Sequence, residues 1–410
     1  MAGTLFRGGL MFDGLGAVSD GQAVLVEDGE VRRVAAAGEF DGFAGSVIDT
    51  AGATLMPGLI DCHVHLCMAG EGDPGTALEK LLPGQATMRA FGHAQQALAG
   101  GTTAVRDCGG KDYMEFAVRD ACNNGTQLGP TIRAAGRMIC MTGGHGNRYG
   151  RVADGIDEVV KAVREQIHAG SDFIKIMATG GVMTPGVNPE DAHYSPEEMA
   201  AGIREANRFH RRTASHAQGT DGVLNAVRGG IDSIEHGIWL TEECIKEMLA
   251  ADTWLVPTLS ALRNILDNAE KVPDYVIEKT ERISVAHRDS VAAYHQAGGK
   301  IAMGTDAGTP FNLHGENAQE LEYLVDVGVD TLTALRAGTS VAADLLDLPQ
   351  QGRIVEGAAA DLLLVEGNPA EDITMAARPG NHRMVMKSGL VVSGAEAQAQ
   401  SALFQKAAAF

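Results

Sequence analysis

Residues 58–66 read GLIDCHVHL, a mainly apolar run that carries two histidines two positions apart. Side chains two positions apart in a strand point to the same face, so His63 and His65 share one side. Seven further segments of strand character follow, each separated from the next by a longer stretch with room for a helix: residues 102–110, 131–139, 172–180, 213–219, 233–237, 254–260 and 300–308. This alternation predicts an α/β fold, a (β/α)8 TIM barrel over residues 58–352.

The helical segments between these strands carry start signals. Residues 195–210 read SPEEMAAGIREANRFH, and Ser195, Pro196 and Glu198 stand at its beginning. A serine followed three residues later by glutamate is typical of a helix N-terminus with a capping box.

The two chain ends differ from the middle. Residues 1–57 and 353–400 carry short alternating segments punctuated by Gly, Asp and Asn. Neither end has enough apolar surface for a core of its own, so we expect the two to pair in one small composite β-sandwich domain. Residues 401–410 form a helix-prone C-terminal tail, for which a docked helix and a frayed end both stay open.

Composition restricts the function classes. The 410 residues carry a formal net charge of −20, which disfavours nucleic acid and anionic membrane as partners. No stretch approaches the ~20 apolar residues of a membrane span, and the N-terminal residues lack a secretory signal pattern, so we expect a cytoplasmic protein. The six cysteines are scattered without a CxxC pair and are expected to be reduced. We further expect a homo-oligomer.

Ligand-type residues stand near the C-terminal ends of the predicted strands, where barrel enzymes place their chemistry. Imidazole and carboxylate ligands suit zinc and other first-row divalent ions, so the sequence predicts two divalent metal ions, with zinc expected. Each of these residues taken alone is also compatible with an ordinary core or surface position. Only the occurrence of all six near strand ends indicates a metal site. The predicted ligands are His63, His65, Lys175, His216, His236 and Asp306.

Lys175 is the unusual member of this set. A lysine ammonium would repel metal cations and cannot coordinate them. If its amine reacts with carbon dioxide, however, the carbamate offers two oxygens that can bridge metals about 3.5–4 Å apart. Taken alone, Lys175 also fits a surface residue with a packed aliphatic stem.

The segment TGGHGNRYG after the third predicted strand supplies further candidates. His145 is the candidate for stabilising an oxyanion, and Arg148 and Tyr149 are candidates for gripping a substrate carboxylate. The alternative is a flexible surface loop with an incidental histidine. Other histidines fall on predicted helices or flanks, where we expect them to face solvent: His93, His168, His210, His287, His295 and His382.

These motifs together resemble the amidohydrolase superfamily. The resemblance rests on PGLIDCHVHL, FIKIMATGG around Lys175, SHAQG, IEHG, GTDAG and the closing GRIVEGAAADLLLVEGNP, and it covers essentially the whole chain. Within the superfamily the chain looks like the binuclear branch with a carboxylated lysine, which includes Xaa-Pro dipeptidases and relatives of ochratoxin-hydrolysing amidases. Imidazolonepropionases share the HxH motif and the late aspartate but lack the bridging lysine, so Lys175 argues against that activity.

The resemblance implies a role for each ligand. Asp306 with His63 and His65 would hold the more buried metal, His216 and His236 the more exposed one, and carboxylated Lys175 would bridge both. A bridging hydroxide would attack the amide carbonyl. Asp306 would accept its proton and pass it to the leaving nitrogen. Catalytic roles are thus expected for Asp306, Lys175 and His145.

The expected activity is hydrolysis of an amide bond that releases a C-terminal amino acid from a dipeptide or N-acyl amino acid. Gln218 stands two residues after His216, where several superfamily members carry tyrosine, and it is the third candidate for substrate binding. This departure leaves the carboxylate contact open. Hydrolysis of a cyclic amide or of a xenobiotic carbamate or urea is the alternative, because one metal pair can cleave all of these. A non-catalytic assembly subunit is disfavoured because no ligand is missing.

Overall fold

The computed structural model describes residues 3–394, which adopt an α/β fold, as the sequence predicts. The predicted tail 401–410 and residues 395–400 of the predicted end domain lie outside the described residues. Within residues 3–394 no helix combines the length and apolar character needed to cross a bilayer.

The described residues contain nineteen strands. Their bounds are β1 (Thr4–Arg7), β2 (Leu10–Phe12), β3 (Val18–Ser19), β4 (Gln22–Glu27), β5 (Glu30–Ala36), β6 (Ser46–Asp49), β7 (Ala53–Pro57), β8 (Leu59–Val64), β9 (Thr102–Asp107), β10 (Thr131–Ala134), β11 (Ile139–Cys140), β12 (Arg151–Val152), β13 (Phe173–Met177), β14 (Arg212–Ala217), β15 (Ser233–His236), β16 (Trp254–Val256), β17 (Leu362–Glu366), β18 (His382–Lys387) and β19 (Leu390–Gly394).

The same residues contain thirteen α-helices. Their bounds are α1 (Pro74–Glu79), α2 (Pro83–Ala99), α3 (Met114–Asn123), α4 (Gly155–Ala169), α5 (Pro196–Arg208), α6 (Thr220–Gly229), α7 (Glu242–Ala250), α8 (Leu259–Leu266), α9 (Asp274–Gln296), α10 (Glu320–Asp326), α11 (Thr331–Ala337), α12 (Ser340–Leu345) and α13 (Thr374–Ala377).

Seven of the eight strands predicted for the barrel are present, as β8, β9, β10, β13, β14, β15 and β16. They lie in a three-stranded sheet of order β10-β9-β8 and a six-stranded sheet of order β12-β11-β13-β14-β15-β16. The pairings within the six-stranded sheet are parallel, and their register aligns Met177 with His216 and Ala217 with His236. The strand ends that carry Lys175, His216 and His236 therefore meet at one edge of this sheet.

The prediction of a continuous eighth strand over residues 300–308 is wrong. Only isolated bridges form there, which pair Ile301 with Leu255 and Ala307 with Val64 and Thr309. The backbone at Asp306 has φ of +64°, outside the β region, so the ladder cannot continue through it. The segment turns there, and the N–H of Asp306 donates to the carbonyl oxygen of His63 at 2.7 Å.

The chain divides into two compact units. One contains the N-terminal residues up to Asp61, Gln95–Ala104 and the residues from Gly315 onward; the other contains Cys62–Ala94 and Val105–His314. The first unit holds the sheets β5-β4-β1-β6 and β19-β18-β17-β7-β2-β3. In the second of these sheets β7 pairs antiparallel with β17, so segments from both chain ends share one ladder.

The second unit contains the strands' ligand-bearing ends and the helices that pack against them. Helix α5 begins as predicted: the Ser195 hydroxyl accepts from the Glu198 N–H, and the Glu198 carboxylate accepts from the Ser195 N–H at 2.8 Å. The capping box is therefore confirmed. Met199, Ile203 and Ala206 recur at helical spacing on the buried face of α5.

Candidate metal centre

A cavity in the second unit is lined by every residue that the sequence predicts for the site. These are His63, His65, His145, Arg148, Tyr149, Lys175, His216, Gln218, His236 and Asp306. They come from strand ends and loops spread over more than 240 positions of the chain. The parallel register of β13, β14 and β15 brings Lys175, His216 and His236 to one edge.

Asp306 lies between the two histidines of the first strand segment. Its Oδ1 is 3.4 Å from Nε2 of His63 and 3.2 Å from Nε2 of His65. Ligand-type atoms of His63, His236 and Asp306 all lie within 4.8 Å of one another. Two nitrogens and a carboxylate oxygen at this spacing match the donor set that zinc prefers.

His216 and His236 form the other side of the cluster. Their ring centroids are 4.4 Å apart in an edge-on arrangement, and the His63 and His236 centroids are 5.3 Å apart. The four imidazoles therefore converge on one space, together with Asp306. Imidazole is a common ligand of zinc and other divalent first-row metal ions, so several buried imidazoles around one space suit such an ion.

Hydrogen bonds on the outer ring nitrogens define which atom of each imidazole can bind a metal. A carbonyl oxygen only accepts, so His65 donates through Nδ1 to Gly109 at 2.8 Å, and His216 donates through Nε2 to Gly180 at 2.9 Å. The nitrogen left to face the cluster is then Nε2 of His65 and Nδ1 of His216. For His65, burial acts to lower the pKa, but the hydrogen bond from Nε2 to Asp306 outweighs it and raises the pKa. His216 is thereby held in the tautomer that presents a lone pair, and His65 can present one when its Nε2 proton is displaced.

Burial sets the charge states of the cluster. It lowers the pKa of His63 and His216 well below the ordinary value and that of His236 to about 3, so these rings are neutral, as metal ligands must be. For Asp306, burial acts to raise the pKa, but the neighbouring His63 and the hydrogen bond from His65 outweigh it and hold the pKa below the usual range. Asp306 is therefore an ionised carboxylate.

Lys175 lies at the middle of the cluster on β13 and is 2% exposed. Its Nζ is 3.4 Å from Nε2 of His63. Within residues 3–394 no carboxylate oxygen lies within 4.0 Å of this amine, although burying an uncompensated ammonium is strongly unfavourable. Lys175 is thus a buried amine among imidazoles, with no carboxylate beside it in the part of the chain that the structure describes.

His145 stands beside the cluster on the loop after β11. Its ring centroid is 4.6 Å from that of His216, and its Nδ1 is 2.8 Å from the Thr184 hydroxyl. Burial, with a smaller effect of nearby His193, lowers its pKa to about 3. A neutral ring that accepts from Thr184 carries its proton on Nε2, where it can be donated to a ligand.

The glycine at position 181 makes room for this ring. A Cβ at Gly181 would lie 2.7 Å from Nε2 of His145, closer than nonbonded atoms approach. The glycine was not among the residues predicted from sequence. The GG pair in ATGG is the local signal for it, because paired glycines after a strand permit close approach of another group.

The residues predicted to contact substrate line the cavity, but they differ in whether their polar atoms already have hydrogen-bond partners. Arg148 lies at the rim, where its Nε and Nη2 donate to the Glu79 carboxylate at 2.8 and 2.6 Å. Its guanidinium fork is thus occupied by a carboxylate of the protein. Gln218 is buried, and within the described residues its Oε1 has no hydrogen-bond partner. Tyr149 also lines the cavity.

Several residues that orient the ligands were not predicted. His236 contacts the Thr258 hydroxyl through Nδ1 at 2.7 Å, and His287 contacts the His236 carbonyl oxygen at 3.1 Å. The expectation that His287 faces solvent is wrong, because it lies on the buried side of α9 and is 2% exposed. Glu235 and Arg106 are also buried beside the cluster. An acidic residue inside the strand SIEH is the sequence signal for Glu235.

One side of the cavity is apolar. Val182, Ile238, Leu262 and Ile265 line it and belong to one buried cluster, against which Met183 packs. An apolar wall opposite convergent polar groups is typical of small-molecule sites.

Comparisons with known proteins identify the family of the chain. The family model described as "Amidohydrolase family" matches residues 54–392. An ochratoxinase of Aspergillus niger is 32% identical over 375 residues, which cover 83% of this chain and 76% of the relative. The crystal structure of a Xaa-Pro dipeptidase with bound methionine in the active site has a TM-score of 0.86 at 30% identity, with 96% of this chain and 100% of that chain covered. A prolidase complexed with N-methylphosphonate-L-proline has a TM-score of 0.87 at 31% identity over 96% and 100% of the two chains. The chain therefore belongs to the amidohydrolase family.

Proposed function

We propose that this amidohydrolase cleaves the amide bond of a dipeptide or N-acyl amino acid and releases the C-terminal amino acid. The observation that supports this most is the convergence of four buried imidazoles and the Asp306 carboxylate around Lys175, in one cavity. The relatives described as ochratoxinase and Xaa-Pro dipeptidase supply the substrate class, which is carried over to this chain as part of the proposal.

The proposed cofactor is a pair of divalent metal ions, with zinc expected. His63, His65 and Asp306 would hold one ion, His216 and His236 the other, and Lys175, carboxylated by carbon dioxide, would lie between them. The absence of a carboxylate within 4.0 Å of Lys175 among the described residues supports the carbamate, since carboxylation converts a buried positive charge into a negative one. Bound metals would make water more acidic and polarise the scissile carbonyl.

The protein's own groups would handle the proton and the developing charge. Asp306 is ionised, so its carboxylate can accept a proton from the attacking water and deliver it to the leaving nitrogen. An amide needs that proton, because an amide anion is a poor leaving group. His145 would donate from Nε2 to the oxygen of the tetrahedral intermediate, and its bond with Thr184 fixes the ring for this role.

The substrate carboxylate would bind near the cavity rim. Arg148 is the proposed contact, and the substrate carboxylate would replace Glu79 on its fork, an exchange of one carboxylate for another. Gln218 lines the cavity, and its Oε1 has no hydrogen-bond partner among residues 3–394, so it would accept from an N–H of the substrate. The apolar wall of Ile238 and Leu262 would take the substrate's hydrophobic side chain.

A second candidate activity is hydrolysis of a cyclic amide, or of a xenobiotic carbamate or urea. The engagement of Arg148 by Glu79 favours it, because no other arginine within the described residues lines the cavity. A substrate without a carboxylate would leave that ion pair undisturbed and still fit the apolar wall.

We also infer that the parallel strands close as a (β/α)8 barrel and that the end segments form a β-sandwich. The barrel inference is supported by hydrogen bonds beyond the regular ladders. Cys62 donates to Met303 at 2.8 Å, and Ala302 donates to Leu255 at 3.0 Å, which links residues 301–303 to β8 and β16. The sandwich inference is supported by one buried cluster that joins residues of both sheets, Val24 and Val26 of β4 with Leu55 of β7 and Leu364 of β17.

Metal analysis combined with matched substrates tests the proposal. Purified enzyme is expected to contain close to two divalent metals per chain and to hydrolyse N-acyl amino acids faster than the same compounds with the carboxylate converted to an amide. Equal rates for acid and amide would favour the second candidate. One tightly bound metal in fully active enzyme, with no gain on adding zinc, would contradict the binuclear centre.

A further inference from the structure

Glu235 is a buried carboxylate behind the metal centre, on β15 between the cavity and the core. It is 0% exposed, and each of its oxygens is bonded. Oε2 lies 2.7 Å from Nδ1 of His63, while Oε1 accepts from the Arg106 guanidinium at 2.7 Å and from the Ser233 hydroxyl at 2.6 Å. These groups form a continuous hydrogen-bonded chain that ends on the metal-facing imidazole.

The partners of Glu235 determine the chemistry of His63. A carboxylate beside a buried guanidinium only accepts, so Nδ1 of His63 must carry a proton. In the neutral ring the lone pair then lies on Nε2. This is the nitrogen that lies 3.4 Å from both Asp306 Oδ1 and Lys175 Nζ.

Arg106 keeps the carboxylate in place. It is 3% exposed, and besides its bond to Glu235 its Nε donates to the carbonyl oxygen of Cys62 at 2.6 Å. That carbonyl precedes His63 in β8, so the guanidinium ties the strand that carries the ligand to the carboxylate that orients it. Ligand-type atoms of His63, Cys108 and Glu235 lie within 4.8 Å of one another. The positive charge of Arg106 beside Glu235 argues against a metal cation bound by these three residues.

We propose that Glu235 is a positioning residue that fixes the tautomer and ring plane of His63, so that Nε2 presents its lone pair to the metal. The inference rests on the proposed function, in which His63 binds a metal. Glu235 also differs in kind from the groups that bond the outward-facing nitrogens of the other three predicted histidine ligands. His65 and His216 donate to backbone carbonyls, and His236 contacts a hydroxyl, so His63 is the ring whose outer nitrogen faces a charged side chain. A carboxylate there makes the imidazole a stronger ligand.

Glu235→Gln separates this role from simple packing. Arg106 has only donors, so the glutamine carbonyl oxygen must stay with Arg106 and Ser233, and the NH₂ group turns to Nδ1 of His63. A donor at that position favours the opposite tautomer, with the proton on Nε2, where it blocks the metal. We expect Glu235→Gln to bind Zn²⁺ about 10- to 100-fold more weakly than the parent in competition with a chelator, the usual range for such partners.

Glu205→Gln is the matched control. Glu205 is a buried carboxylate that also accepts from arginines, Arg164 at 2.6 Å and Arg208 at 2.7 Å, but it lies on α5 without contact to a ligand. Its amide variant loses the same charge and is expected to keep parental Zn²⁺ affinity. Parental affinity in Glu235→Gln, with Zn²⁺ bound at full occupancy, would overturn the proposal.

A measurement on the parent enzyme does not depend on a variant's folding. Histidine-ring ¹⁵N NMR of the metal-free, full-length protein is expected to show His63 as the Nδ1–H tautomer, with its signal assigned by its loss in His63→Asn. An Nε2–H tautomer would overturn the inference. A parent enzyme that binds no Zn²⁺ would contradict the proposed function and not the role of Glu235. In that case the NMR measurement of the His63 tautomer alone would test whether Glu235 positions the ring.

Discussion

Asp306 has two proposed roles, as a metal ligand and as the group that carries the proton. The turn at φ of +64° places the carboxylate 3.2 Å from Nε2 of His65, close enough for a shared metal. Burial acts to raise the pKa of Asp306, but the neighbouring His63 and the hydrogen bond from His65 outweigh it, so the carboxylate is ionised. Asparagine keeps the shape and one oxygen but cannot carry the proton. We expect Asp306→Asn to lose roughly 10²–10⁴-fold in turnover while retaining much of its metal. Turnover near that of the parent, at full metal content, would remove Asp306 from the proton path.

Lys175 carries the proposed bridge between the metals. Lys175→Ala removes both the carbamate and its negative charge, so metal content should fall and activity should be abolished. Short carboxylic acids added to the variant are expected to restore part of the rate by supplying the missing oxygens. Near-parental turnover in Lys175→Ala would contradict the carbamate and favour a single-metal site.

His145 is expected to act on the oxyanion and not on the metals. His145→Ala should keep both ions, while turnover falls roughly 10²–10³-fold, the range found when one oxyanion donor is removed. Metal content and kinetics measured on the same samples check this. Loss of metal with the turnover would show that the ring supports the centre itself.

At the scale of elements, the loop after β13, with Gly181, packs closely against the loop after β11, with His145. Gly181 has no positive φ, so alanine suits its backbone, yet the added Cβ would meet the His145 ring at 2.7 Å. Gly181→Ala is expected to displace the ring and lower turnover in the direction of His145→Ala, with metal content unchanged. Gly92 on α2 is the control, because a Cβ there meets nothing within 4 Å. If Gly181→Ala and Gly92→Ala had the same turnover, the close approach of Gly181 to the His145 ring would not matter for activity.

At the scale of the whole molecule, buried neutral histidines couple folding to pH. Burial, with a smaller effect of stacked His93, lowers the pKa of His314 to about 3, whereas it is about 6.5 in the unfolded chain. Below pH 6.5 the unfolded state binds more protons, so this contribution to stability is complete above pH 6.5 and is lost as the pH falls toward 3.

The expected loss from this one histidine at pH 5 is on the order of 2 kcal/mol. Urea denaturation of the parent and of His314→Gln at pH 7 and pH 5 measures it. The variant should lose less stability between the two pH values than the parent does. Equal losses in both proteins would show that His314 is protonated in the folded state at pH 5.

The sequence by itself determined the features that depend on local spacing. The HxH pair, the alternation of strands and helices, the capping box at Ser195 and the ligand types at strand ends follow from periods of two and 3.6 residues, which need no knowledge of distant partners. It therefore predicted seven strands and the residues that line the cavity, including Lys175.

Only the tertiary structure decided which side chains hold the ligands in place. Glu235 bonds a histidine 172 positions away, and Arg148 pairs with Glu79 across 69 positions, contacts that depend on register and loop conformation and leave no local pattern. The turn at Asp306 likewise interrupts a segment whose composition is that of a strand, because two backbone N–H groups there donate to the same carbonyl oxygen, that of His63. Local periodicity sets which face a residue occupies; the partner it meets there is set by strands and loops far away in the chain.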